Sequence, residues 1–256
     1  MTTSDLSESY SHRYLHQYWP ESPHSAAGWE DNIHLMNAYQ EVALAALKFS
    51  GGRKLSMLDI STGPALAPLL AMMTCVSEVQ LSDYEADNRR SLRESAVEYW
   101  RNYVPMLTKV YEDPEAMTGE ILARLDELRR ARPPVEVDLF RDEPFSSEVN
   151  PERYDIVSMN FVADSIAKTK DDYFQCLNRV TRMIRPGAFF VMSALVDCDG
   201  WLIGEEHHPS PKVSEAEVLE HLKAQGFELR HIYRLPILEG LSYNGGWIVL
   251  GMSKRI

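Results

Sequence analysis

Between Leu55 and Asn88 the chain reads L-S-M-L-D-I-S-T-G-P-A-L-A-P-L-L-A-M-M-T-C-V-S-E-V-Q-L-S-D-Y-E-A-D-N, an order that few folds accommodate. Leu55–Ser61 has the apolar character of a buried strand, Gly63 marks a tight turn, and Ala65–Met73 spaces its apolar residues as a helix. Val76–Ser82 is a second strand, with Asp83 at its tip. In such an arrangement the turn brings backbone N–H groups close to a nucleotide-like ligand, and the acid at the second strand's tip takes ribose hydroxyls. A loop that cradles a pyrophosphate carries two or three glycines, and this turn keeps only Gly63. The stretch therefore points to a nucleotide-like ligand and away from a dinucleotide.

The flanking sequence extends the pattern. Residues 1–30 are polar yet hold Tyr10, Tyr14, Tyr18, Trp19 and Trp29. Tyr14 and Tyr18 fall four apart, on one face of a short helix that Pro20 stops. Two readings stand side by side: simple packing onto the domain, or a lid over a ligand. Asn32–Phe49 shows helical spacing through Leu35, Met36, Tyr39, Val42 and Ala46 and closes at Gly51-Gly52. Asp87–Tyr103 is amphipathic, and Asp113–Arg132 reads as a charged helix inserted before Pro133-Pro134. Val135–Phe140 and Tyr154–Phe161 read as third and fourth strands, and Lys170–Ile184 as a helix. Ala188–Val196 is apolar enough for a strand buried on both faces. Ser214 caps a helix reaching Gln225, and Leu229–Leu235 with Trp247–Ser253 form a terminal antiparallel pair. The expected architecture is α/β: a doubly wound, Rossmann-like sheet of seven strands with an antiparallel terminal strand, in one domain over residues 1–256. Within it, residues 1–50 form an N-terminal helical lid and residues 51–256 the core.

Composition narrows the ligand. Net charge is −12 from 26 basic and 38 acidic residues, which disfavours nucleic acid. The one basic cluster, Arg129, Arg130 and Arg132, reads as the end of the charged helix. No apolar run approaches the ~20 residues of a membrane span, and no signal peptide is visible. Cys75, Cys176 and Cys198 are widely spaced, as in reduced thiols of a cytoplasmic protein. His207-His208 has no acid or thiol cluster at metal-ligand spacing, so no metal is expected. The expected partner is a small molecule, and the chain is expected as a monomer or homodimer.

The series L-D-I-S-T-G-P, L-S-D-Y-E-A-D-N, I-R-P-G-A-F-F-V-M-S-A-L and W-L-I-G-E resembles the small-molecule methyltransferases that use S-adenosylmethionine. Within them the chain looks most like the group holding the nicotinamide, phenylethanolamine and thioether (indolethylamine) N-methyltransferases. The N-terminal R-Y-L-H-Q-Y-W is similar to that group's D-Y-L-x-x-Y-Y segment. The resemblance implies that Ser61, Thr62 and Gly63 form the turn beneath the methionine part of the cofactor. It places Asp83 on the ribose, Tyr84 against the adenine side, and Asn88, Asp138 and Leu139 around the adenosine, with Asn160 also at the cofactor. Tyr14, Tyr18 and Trp19 would close over the cofactor, Tyr14 near the transferable methyl. Asp164 and Asp197 fall near acids that face the amine in the phenylethanolamine enzyme, and are expected to act on the substrate with Tyr14. Phe161, Ser193, Trp201 and Tyr243 are expected to line the substrate. Two departures stand out: Ser61 replaces a family glycine, and Ser193 replaces the aspartate of the nicotinamide enzyme, which argues against nicotinamide.

The reaction implied is methyl transfer to a small molecule, most simply an amine, whose ammonium an acid holds and deprotonates before attack. Two alternatives remain open from sequence. The same scaffold can cyclise S-adenosylmethionine to azetidine-2-carboxylate, releasing methylthioadenosine. A degenerate, non-catalytic binding domain is the other, motivated by Ser61.

Overall fold

Met57 and Leu58 are neighbours in sequence and belong to opposite cores, because successive side chains of a strand point to opposite faces. Both lie on β1 (Leu55–Ile60), an interior strand of a seven-stranded sheet. The computed structural model describes residues 10–21, 29–145, 149–235 and 245–256. Two helices, α1 (Tyr10–Tyr18) and α2 (Trp29–Phe49), precede β1. Then come α3 (Ala67–Met72), β2 (Val76–Asp83), α4 (Ala86–Glu94), a 3-10 segment over Val97–Met106, α5 (Thr118–Arg130) and β3 (Val135–Glu136). The chain continues through β4 (Ile156–Asn160), α6 (Ala163–Ile166), α7 (Lys170–Met183) and β5 (Phe189–Val196). It ends with the hairpin β6 (Gly200–Ile203) and β7 (Glu206–Pro209), α8 (Glu215–Ala224), β8 (Phe227–Leu235) and β9 (Gly246–Lys254).

The sheet order is β3-β2-β1-β4-β5-β9-β8. Strands β1 to β5 pair in parallel, and β9 inserts antiparallel between β5 and β8. One face packs Met57, Val79, Phe189 and Val249 against Tyr39, Leu70, Trp100 and Leu125. The other packs Leu58, Val157, Phe190 and Leu250 against Tyr173, Leu177, Val218 and Leu222. All eight residues of β5 are buried, as expected of a strand covered on both sides. Capping boxes at Thr169/Asp172 and Ser214/Glu217 start α7 and α8. Strand order reverses between β1 and β4, which opens a crevice at their carboxyl ends.

Local differences from the expected pattern have visible causes. The third strand is only two residues long, because Asp138 turns the chain: its carboxylate accepts from the Phe140 N–H at 2.9 Å and pairs with Arg141 at 3.0 Å. The amphipathic stretch 87–103 is not one helix, since Ser95 and Ala96 are extended and Pro105 sits in the 3-10 turns that follow. The β6–β7 hairpin is additional to the expected elements. At the end of α5, Arg129 is buried, donating to the Leu92 carbonyl and to Asp126, whereas Arg130 stays outside on the same carboxylate. Among the described residues, no helix is long and apolar enough to cross a membrane, and no His, Cys, Asp or Glu cluster could hold a metal.

Candidate functional site

Two adjoining cavities occupy the crevice. The larger, about 530 Å³, lies over the β1–α3 turn and the tip of β2, where Ser61, Thr62, Gly63, Asp83, Tyr84 and Asn88 reach it. The smaller, about 100 Å³, is walled by Tyr14, Tyr18, Trp19, Leu35, Tyr39 and Trp247, and also holds Asp31 and Asp164. Tyr14, Thr62, Asn160, Phe161, Ser165 and Trp201 border both.

At the larger cavity the Asp83 carboxylate is 5% exposed and organises the turn. One oxygen accepts from the Gly63 N–H at 2.7 Å; the other accepts from the Glu85 N–H at 2.8 Å and from the Asn88 amide at 3.1 Å. Burial pushes its pKa up, opposed by those three donors and by Arg89. A carboxylate offers about four acceptor positions, so capacity remains for ribose hydroxyls. Asn88 in turn accepts from the Ser11 hydroxyl at 2.6 Å, which ties α1 to the tip of β2. A Cβ added at Gly63 would meet nothing within 4 Å, so the cavity comes directly up to the turn. The donors around this turn are spent on a carboxylate and form no nest for a phosphate. The residues fit an adenosine-type ligand without a pyrophosphate.

Ser61 holds φ 51°, the left-handed region that a side chain resists and glycine accepts. Ser61→Gly is expected to stabilise the folded chain by about 0.5–1 kcal/mol. Roughly 1–2 kcal/mol of left-handed cost is relieved, and ~0.5–1 kcal/mol returns as unfolded-chain entropy. Urea denaturation of the two proteins checks it. Phe161 is held the same way at φ 54°, its N–H bonded to the Ser193 carbonyl at 2.9 Å, which turns the chain sharply off β4 beside both cavities.

Helix α1 closes over the crevice and is clasped to the β6–β7 hairpin. Tyr18 Oη and Gln17 Nε2 both donate to the Leu202 carbonyl, at 2.6 and 2.7 Å, and the Gly204 N–H donates back to Gln17 at 2.7 Å. The Tyr14 and Tyr18 rings pack at a tilt of 36°, with centroids 5.0 Å apart. Trp201 stacks on His208 at 4.4 Å.

Asp164, on the first turn of α6, is 1% exposed, and neither carboxyl oxygen has a hydrogen-bond partner. Burial lifts its pKa to about 7, opposed by the backbone N–H groups of Asp164 itself and Leu195, which stand near the carboxyl without completing a hydrogen bond to it. Tyr14 and Tyr39 are pushed up chiefly by burial, with the Asp164 charge adding to both. An uncompensated carboxyl inside an aromatic-walled cavity is a site for a cation or a proton. Asp31 is the second acid there, its Oδ1 accepting from the Trp247 indole at 2.6 Å.

The structure brings Tyr14, Tyr18, Trp19, Ser61, Thr62, Gly63, Asp83, Tyr84, Asn88, Asn160, Phe161, Asp164 and Trp201 to one crevice. Four expected residues lie elsewhere. Asp138 is held by Arg141, and Leu139 is buried in the core beneath α7. Asp197 is exposed on a turn at φ 54°. Ser193 is fully buried, its hydroxyl taken by Tyr39 and Asn160, each at 2.8 Å. Tyr243 lies outside the described residues. The sequence does not single out Ser11 or Asp31, and it shows Tyr39 only within a helical stripe and Trp247 only within a terminal strand. Asp31, Leu35 and Tyr39 recur every four residues on α2, so one stripe of that helix forms the cavity wall. The signal in the sequence was the polar head, Asp31-Asn32, on an otherwise apolar stripe.

Comparison with known proteins follows the same outline. The model of the NNMT/PNMT/TEMT family matches residues 3–244. Phenylethanolamine N-methyltransferase of Rattus norvegicus is 23% identical over 188 residues, covering 70% of this chain and 65% of that protein. Nicotinamide N-methyltransferase of Caenorhabditis elegans is 20% identical over 181 residues, covering 67% of this chain and 66% of that protein. The chain thus spans slightly under two thirds of the length of these relatives. Among solved structures, the N-methyltransferase NodS from Bradyrhizobium japonicum WM9, in complex with S-adenosylhomocysteine, superposes with a TM-score of 0.53. It is 9% identical, over 97% of this chain and 100% of that one. The glycopeptide N-methyltransferase MtfA, also complexed with S-adenosylhomocysteine, gives 0.51 at 13% identity, over 85% and 90%. At these identities the likeness is one of fold.

Proposed function

The chain belongs to the NNMT/PNMT/TEMT family, and from that premise we propose that it is an S-adenosylmethionine-dependent methyltransferase acting on the nitrogen of a small amine. The observation that carries the amine is Asp164, a buried carboxyl without a hydrogen-bond partner, in an aromatic cavity that adjoins the adenosine-type site.

When bound, S-adenosylmethionine supplies a sulfonium methyl: the acceptor nitrogen's lone pair forms the N–C bond and the C–S pair stays on sulfur. Asp83 would hold the ribose hydroxyls, with Ser61, Thr62 and Gly63 beneath the methionine portion and Tyr84 on the adenine side. Asn88 would act chiefly by fixing the Asp83 carboxylate. Tyr14, Tyr18 and Trp19 present rings to a cation, each favourable by about 0.5–2 kcal/mol, and α1 excludes water from the crevice.

An alkyl amine enters as an ammonium and must lose a proton before its nitrogen can attack. Burial lowers an ammonium's pKa and has already raised that of Asp164 to about 7. The two values therefore approach one another in the cavity, and a proton can pass from nitrogen to Asp164 and on to solvent. Beyond this, Phe161, Trp201 and Trp247 orient the acceptor by shape.

The test is incubation of purified protein with methyl-labelled S-adenosylmethionine and a panel of small amines, phenols and carboxylates. Label is expected in amines, with S-adenosylhomocysteine as co-product. Label in none of them overturns the proposal, and methylthioadenosine released without any acceptor assigns cyclisation instead.

A further inference from the structure

A line of polar side chains crosses the sheet on the face that α2 covers. Asp59 on β1 lies beside Ser158 on β4, and Asn160 on β4 lies beside Ser193 on β5. The two β4 residues are separated by one position and so share a face. Tyr39 of α2 completes the line. Asn160 Nδ2 donates to Ser158 Oγ at 2.7 Å, Ser193 Oγ donates to Asn160 Oδ1 at 2.8 Å, and Tyr39 Oη lies 2.8 Å from Ser193 Oγ. Asp59, Ser158, Ser193 and Tyr39 are all buried.

Counting protons gives the line a direction. Asn160 presents its amide nitrogen to Ser158, beside the buried carboxyl of Asp59, and its amide oxygen to Ser193. An amide oxygen can only accept, so it takes the Ser193 hydroxyl's proton. Ser193 has none left, so Tyr39 must donate to it. Tyr39 lines the smaller cavity, and all that its oxygen can offer a ligand is lone pairs.

We propose that Tyr39 is a specificity-determining residue, a second hydrogen-bond acceptor for the substrate nitrogen beside Asp164, which makes the site select primary amines and stop after one methyl. This rests on the amine methyltransferase reading above. A neutral primary amine directs its lone pair at the methyl donor and has one N–H for Asp164 and one for Tyr39. Its product, protonated on the singly methylated nitrogen, still has two N–H groups and sheds one proton through Asp164. Entering as a substrate, the secondary amine keeps a single N–H once deprotonated, and one buried acceptor is then left unpaired. That loss corresponds to roughly tenfold or more in selectivity.

The experiment uses matched pairs of a primary amine and its N-methyl derivative, benzylamine with N-methylbenzylamine and isobutylamine with N-methylisobutylamine, on the wild type, Tyr39→Phe and Ser193→Ala. Initial rates with S-adenosylmethionine give the ratio of kcat/KM within each pair. Tryptophan fluorescence titration without S-adenosylmethionine gives amine binding, since Trp19, Trp201 and Trp247 line the cavity. The wild type is expected to favour the primary member by about tenfold or more and to yield only singly methylated product. Tyr39→Phe, which lacks the acceptor, is expected to bring the ratio towards one. Ser193→Ala removes the group that fixes the Tyr39 proton, so the hydroxyl can also turn its proton into the cavity; the ratio is expected to fall below the wild-type value with the ring kept, which leaves a test if Tyr39→Phe fails to fold. Methyl transfer to amines with a ratio near one in the wild type, or with a ratio that both variants leave unchanged, overturns the role of Tyr39 alone. No binding and no transfer with any amine overturns the amine reading itself, and this inference with it.

Discussion

Replacing Asp83 by asparagine is expected to weaken S-adenosylhomocysteine binding by about two orders of magnitude, measured by calorimetry without any acceptor present. The carboxylate would take ribose hydroxyls as charge-assisted hydrogen bonds, each worth about 1.5–3 kcal/mol. An amide keeps one acceptor and loses the charge. It also meets a geometric problem inside the protein. Donors approach both oxygens, Gly63 N–H on one side and Glu85 N–H with the Asn88 amide on the other. In either orientation an asparagine NH2 faces a donor, so the turn under the ligand loosens as well. Binding within tenfold of the wild type would remove Asp83 from the ribose. Circular dichroism and the melting temperature of the variant separate a lost contact from a lost fold.

The second large effect is expected at Asp164. Asp164→Asn should lower kcat/KM for an amine by about 10²–10⁴, the range that a positioned general base contributes. In the wild type kcat/KM should rise as pH passes about 7, where Asp164 ionises, and the variant should lose that rise. The same group makes a stability signature independent of substrate. An unfolded aspartate has a pKa near ~4, against about 7 when folded. Below pH ~4 both states are protonated and burial costs nothing in charge. Between those values the folded state binds the extra proton, so stability falls as pH rises, by up to roughly 4 kcal/mol, and is flat above. Asparagine does not titrate, so the variant's urea-derived stability should lose most of that slope. A wild type with no such slope places the carboxyl in contact with water, and Asp164 would then not hold an ammonium in a dry cavity.

Much of this architecture was legible in the linear chain because it depends on local chemistry. Short, largely apolar runs at Leu55–Ile60 and Phe189–Val196 read as strands covered on both faces, and a strand-helix-strand order with an acid at the second tip places a crevice. The aromatic segment before Pro20 is readable as a helix from sequence, but its bonds from Gln17 and Tyr18 to the β6–β7 hairpin depend on a contact 184 or more positions away. The expected places of Asp138 and Asp197 depended on a loop register that sequence does not supply. Both stand on turns whose own backbone needs account for them: one closes on Arg141, the other takes a left-handed φ.

Leu55–Asn88 by itself determined a strand-turn-helix-strand unit and a nucleotide-like crevice, and the strand and helix order of the rest of the chain the fold class, since burial, turn chemistry and one acid at a strand tip are properties of contiguous residues. Only the tertiary structure decided what the site does with its other polar groups. Asp59, Ser158, Asn160, Ser193 and Tyr39 are scattered over more than 150 positions, and nothing local relates them. Parallel pairing sets Asp59 beside Ser158 and Asn160 beside Ser193, and α2 packs Tyr39 onto the same face. Ser193 read alone is an aspartate lost from a family pattern. In the sheet it is the hydroxyl that turns the tyrosine proton inward, because the Asn160 amide oxygen takes the Ser193 proton and leaves that oxygen to accept from Tyr39.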